Sequence, residues 1–157
     1  SWRDALLYVS GTLDKTTGGP TVKLSDTNNH RRTVYGAISR HELDGLLRLF
    51  DFPDANVTSA TRTETTVPQQ QLFVLNSDFF VTQSKALAAR LEQEAGDNEV
   101  AKIQHAYRLL FGREPDSSEL RIARSFVNQS EVPSAKLNRW EQYSQALLGS
   151  NEFLYID

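Results

Sequence analysis

Four arginines and two aspartates gather in an irregular part of the chain: Arg31, Arg32, Arg40 and Arg62 with Asp51 and Asp54. Two amides, Gln70 and Asn76, follow close behind. Guanidinium groups engage carboxylates and phosphates through paired hydrogen bonds, and amides add both donors and acceptors. Such a set suits an anion or a carbohydrate, with Arg32, Arg40, Asp51, Arg62, Gln70 and Asn76 as its binding residues. It equally suits a structural task in which Arg–Asp pairs pin a long loop to a core. No Gly-rich phosphate cradle accompanies the arginines, which weighs toward the structural use.

Other chemistry is thinly represented. The three histidines, His30, His41 and His105, show no H-x-x-x-H spacing, so local sequence builds no zinc site. The stretch "DFPDAN" offers Asp51, Asp54 and Asn56 as oxygen ligands for Ca²⁺ but lacks the glycine and terminal glutamate of an EF-hand loop. No G-x-S-x-G elbow, P-loop or dinucleotide fingerprint occurs, so no catalytic residue is selected and no catalytic motif argues for an enzyme. The absence of Cys removes disulfides, thiolate metal ligands, thiol nucleophiles and covalent haem attachment.

Composition narrows the partners. A net charge of −3, spread without any block of like sign, supplies no electrostatic footprint for nucleic acid or an anionic membrane. No apolar run is long enough to span a bilayer. The 157 residues, 39% hydrophobic and 24% charged, suit one globular domain. The chain has no Met and opens directly in an apolar pattern, which reads as a piece of a longer protein.

The elements that must position these groups are mostly helical. Trp2, Ala5, Leu6 and Val9 keep helical spacing, and Gly11 is placed to end that helix. "TTGGPTVKLSDTNNHRR" is turn-rich, while Arg32–Ser39 is rich in β-branched and aromatic residues and reads as a short strand or extended segment, with room for a β-hairpin. Ser39 to Glu42 and Thr66 to Gln69 match capping boxes, the latter with Pro68 in its first turn. Behind the second, Leu72, Leu75 and Phe79 make a buried stripe, leaving Gln70, Gln71 and Asn76 without a helix-building role. Asp51–Arg62 is a long aperiodic loop.

Further on, a break near Ser77 precedes a helix carrying Phe80, Leu87 and Leu91 up to Gly96. Ile103 and Tyr107 mark another helix, closed by Gly112, and Asp116 to Glu119 is a capping box. Pro133 and Ser134 are expected to open a last helix with Leu137, Trp140, Leu147 and Leu148. The fold expected is mainly α, with an irregular wrap over 1–66 and an antiparallel helical bundle over 67–157.

Five blocks occur in order: "WRDALLYVSGTLDKTTGGPTV", "RRTVYGAISRHELDGLLRLFDFPDANVT", "RTETTVPQQQLFVLNS", "YRLLFGREPDSSEL" and "ALLGSNEFLYID". Together they resemble the C-terminal part of the planctomycete-specific domain of unknown function 1553. The pattern agrees at Arg31, Arg32, Tyr35, Arg40, Phe50, Asp51, Pro53, Arg62, Thr66, Pro68, Gln70, Leu72, Leu75 and Asn76. It departs at Asp78, where many relatives carry Pro after the Asn-Ser pair. The resemblance brings no established activity. It implies an exported protein, periplasmic or in the cell envelope, whose upstream domains include a cytochrome c-type domain. Haem is then expected only upstream, with no cofactor in this chain. The leading expectation is a non-catalytic structural or interaction module whose partners are those upstream domains. The alternative is a polysaccharide-binding or polysaccharide-processing domain.

Overall fold

The structure is a computed structural model that describes residues 2–24, 26, 28–37 and 76–154. Among these residues the architecture is mainly α, with six α-helices and one 3₁₀ turn. The predicted capping boxes at Ser39 and Thr66, the Asp51–Arg62 loop and the 66/67 boundary lie outside the described residues.

Helix α1 (Trp2–Val9) ends at Gly11, whose φ of +78° is a left-handed geometry that side chains rarely adopt. Helix α2 (Asp78–Ala95) begins where Ser77 accepts the Phe80 N–H at 3.3 Å and stops at Gly96. Helix α3 (Glu99–Phe111) is capped by Asn98, which accepts the Ala101 N–H, and closed by Gly112 in the left-handed region. Helix α4 (Ser117–Val127) opens on the expected capping box: Asp116 accepts the Glu119 N–H, and Glu119 accepts the Asp116 N–H, both at 2.8 Å. Each reciprocal pair satisfies two backbone donors that a helix N-terminus otherwise leaves open.

The last part differs from expectation. Pro133 and Ser134 sit in a turn closed by the Ala135 N–H to Val132 carbonyl bond of 2.9 Å. Helix α5 (Arg139–Leu148) starts instead at Asn138, because Asn138 and Glu141 form a second complete capping box. A side-chain cap at the helix mouth outweighs a proline farther out, which supplies no acceptor. A short α6 (Asn151–Leu154) follows.

The helices pack as consecutive neighbours: α2 on α3, α3 on α4, and α4 on α5. Helix α5 returns against α2, and α6 lies on α3 and α5. The shared core contains Leu6, Leu7, Phe80, Leu87, Leu91, Ile103 and Leu148, each with no exposed surface. Burial of each such side chain contributes about 1.5–3 kcal/mol. Helix α1 joins the core through Leu6 and Leu7 and through Trp2, which stacks on Phe80 at 6.1 Å between ring centroids.

The expected strand over Arg32–Ser39 does not form in its described portion. Thr33–Tyr35 is a 3₁₀ turn, and the neighbouring backbone makes only isolated parallel bridges, Asp14 with Arg31 and Val22 with Gly36. The β-rich composition is overridden because Asp4 of α1 draws the Thr33 N–H and hydroxyl to one carboxylate oxygen, at 2.7 and 2.8 Å.

Buried Leu24 presses onto Gly36, where an added Cβ would fall 2.6 Å from a Leu24 methyl carbon. Gly36→Ala should therefore cost about 1–3 kcal/mol through overpacking. In a Leu24→Ala background the same change should cost less than half as much, as read by a denaturant-unfolding double-mutant cycle. Additive losses would contradict the collision.

Candidate functional site

Of the six binding residues expected from sequence, Arg32 and Asn76 fall among the described residues, and both are exposed. Arg32 precedes the 3₁₀ turn without capping it, and Asn76 stands just before the Ser77 cap of α2. Arg40, Asp51, Arg62 and Gln70 lie outside the described residues, as do His41 and Asp54.

The arginine that secures the N-terminal connection is Arg3. It is 1% exposed, sits on α1 beside the core leucines, and donates from Nη1 to the Arg31 carbonyl at 2.7 Å. Its Nη2 donates to the Asn29 carbonyl, and its guanidinium lies 5.5 Å from the centre of the Phe79 ring. The adjacent Asp4 takes the Thr33 donors described above, so one turn of α1 grips the connection at both ends of the 29–33 stretch. Arg31 continues this framework: it donates to the Pro20 and Gly18 carbonyls and lies 4.3 Å from the Tyr35 ring centre. The Tyr35 hydroxyl in turn accepts the Gly18 N–H at 2.9 Å.

The sequence carried a signal for Arg3 that the stripe Trp2–Ala5–Leu6–Val9 obscured. Arg3, Leu6, Leu7 and Ser10 also keep helical spacing, and a cation on a face of core leucines needs partners inside the fold.

Where α1 meets α2, polar groups reach into the core. The Ser10 and Thr12 hydroxyls converge on Gln83 Oε1 at 2.6 and 2.8 Å, and Gln83 and Ser10 are both buried. Above this network runs a cleft of about 570 Å³ whose rim includes Tyr8, Lys15, Arg90 and Glu94. Arg90 donates from Nη1 to the Tyr8 and Val9 carbonyls at 3.1 and 2.9 Å, adding a side-chain donor to the last carbonyls of α1. Its Nε donates to Glu94 at 2.8 Å, while the other Glu94 oxygen meets His105 Nε2. Arg90 first, and His105 second, keep the Glu94 carboxyl below the ordinary carboxylate range.

At the far end of the bundle, Arg113 donates bidentately to Glu119 and to Glu152, with all four distances 2.8 Å. It also lies 5.2 Å from the Tyr107 ring centre and 5.7 Å from that of Phe111. Glu119 is lowered to about 2, first by Arg113 and then by the Asp116 N–H, and Arg113 also lowers Glu152. Acid–base catalysis by a carboxylate pair needs the two groups driven apart, one protonated and one ionised. Here one guanidinium ionises both, so the cluster ties α4 and α6 to the loop after α3. Among the described residues no three His, Asp or Glu side chains gather as metal ligands, and no helix is long and apolar enough to cross a membrane.

Two outcomes follow from this geometry. Arg3→Met leaves two carbonyls without their donor and should cost about 3 kcal/mol, a fall in Tm of roughly 6–12 °C, whereas Arg32→Ala should stay within about 0.5 kcal/mol. Differential scanning calorimetry of the two variants checks the contrast. For Glu119, the folded value of about 2 lies below the ordinary 4.5. The unfolded chain then binds more protons in that window, so this contribution is complete above pH 4.5 and declines as pH falls toward 2. Glu119→Gln should flatten the acid limb of a stability–pH profile there, by an amount that solvent screening keeps modest.

The family model PSD1, described as a protein of unknown function (DUF1553), matches residues 1–127, from α1 through α4. No curated protein and no solved structure matches the chain. The matched part contains both the α1 grip on the connection and the α1–α2 cleft. The chain belongs to the DUF1553 family.

Proposed function

We propose that this chain is a non-catalytic structural and interaction module of a large exported, cytochrome-containing protein of the cell envelope. Its partners on this reading are upstream domains of the same polypeptide. The observation that carries it is how five of the described arginines are spent. Arg3, Arg31 and Arg90 hold backbone carbonyls, while Arg113 and Arg124 hold carboxylates. Catalytic groups need ionisation matched to a reaction, and the shifted carboxylates here are displaced toward permanent charge by structural partners.

The second reading is a polysaccharide-binding or polysaccharide-processing domain using Arg32, Arg40, Asp51, Arg62, Gln70 and Asn76, of which Arg32 and Asn76 are the described members. Isothermal titration of this chain against the upstream domains of the full-length gene product tests the leading reading. Binding accompanied by a higher Tm for both partners is expected. No binding and no mutual stabilisation would overturn it.

A further inference from the structure

The cleft between α1 and α2 has a composition that structural packing does not require. Its lining is mixed and mostly polar, with Ala86, Ala89, Leu13 and the half-exposed Tyr8 ring supplying an apolar part. A volume of about 570 Å³ falls in the usual range for small-molecule sites. Gly11 lines the end near α1, where a Cβ would lie in ordinary contact with Arg90 Cδ at 3.4 Å.

The charge balance in the cleft favours an anion. Among the described lining residues Glu94 is the one carboxylate, and both its oxygens are already engaged by Arg90 and His105. Arg90 uses Nε and Nη1 on protein acceptors, leaving Nη2 without a hydrogen bond among the described residues. Lys15 joins no ion pair among those residues, and its ammonium rests 5.3 Å from the Tyr8 ring centre. Lys15 and Arg90 against Glu94 leave one net positive charge beside the apolar surface of Ala86, Ala89 and Leu13. An inorganic anion would gain nothing from those apolar side chains, whereas an organic acid uses both features.

We propose that the α1–α2 cleft binds a small organic carboxylate, its carboxylate meeting Lys15 and Arg90 Nη2 and its body lying over Ala86, Ala89 and Leu13. Aromatic acids and acidic sugars share this chemistry. Titration calorimetry with benzoate and with glucuronate, each beside its neutral counterpart benzamide or methyl glucoside, distinguishes the two sources. At least one acid should bind, and its neutral counterpart about tenfold more weakly or not at all.

Lys15→Gln should weaken binding by about tenfold, and Ala89→Trp, which fills the cleft from an exposed position, should abolish it. An unchanged Tm and circular dichroism spectrum for Lys15→Gln keep a folding defect from explaining its loss. The proposal is overturned if neither acid binds, if an acid and its neutral counterpart bind alike, or if binding survives both substitutions. Failure of the chain to bind upstream domains would leave these outcomes unaffected.

Discussion

Burying a guanidinium is costly, because several kcal/mol of hydration must be replaced inside the protein. Arg3 meets that cost with two carbonyls of the connecting segment and the face of Phe79. Both of these bonds need residues 29–31 to lie across α1, so desolvation of one side chain favours that path for a segment with little regular structure of its own. The rest of the N-terminal architecture depends on this constraint. With the carbonyls of Asn29 and Arg31 fixed, Asp4 reaches Thr33, Arg31 reaches back to Pro20, and the Val22–Gly36 bridge brings Leu24 onto Gly36.

The same economy of charge recurs across the bundle. Arg90 closes the end of α1 and clamps Glu94 on α2, and Glu94 meets His105 on α3. Arg113 joins α4 and α6, and Arg124 on α4 donates to Glu99 at the start of α3 at 2.7 Å. Exposed pairs of this kind contribute little individually to stability. Their effect is geometric, because a planar donor fork bound to two acceptors fixes the relative placement of the elements that carry them. The α1–α2 cleft stands apart, since Lys15 and Arg90 Nη2 are donors that this framework leaves over.

Local signals were legible wherever the physics is local. Ser77, Gly96, Gly112 and the Asp116–Glu119 box each state a helix boundary within four residues, and the structure places helix ends there. The stripe of Phe80, Leu87 and Leu91 is the buried face of α2, as its spacing predicts. Pro133 misled because a strong breaker stood before a better cap, Asn138, whose partner Glu141 completes the reciprocal bonds. The described part of Arg32–Ser39 forms a 3₁₀ turn rather than a strand for a different reason: β-propensity describes a fit to neighbouring strands, and a helix carboxylate from residue 4 takes the Thr33 donors instead. Of the expected binding cluster, Arg32 and Asn76 are seen to be exposed, and the remaining members lie outside the described residues.

By itself the sequence determined the mainly helical class, most helix ends and the apolar faces, since caps, glycines and a period of 3.6 act over one or two turns. Tertiary structure decided which cations are structural and which remain over a cleft. Arg3 and Arg32 are the same residue type, yet one is buried against carbonyls 26 and 28 residues away and the other is exposed. That difference arises because desolvation and long-range hydrogen bonding depend on the surroundings a side chain acquires only after the chain has folded.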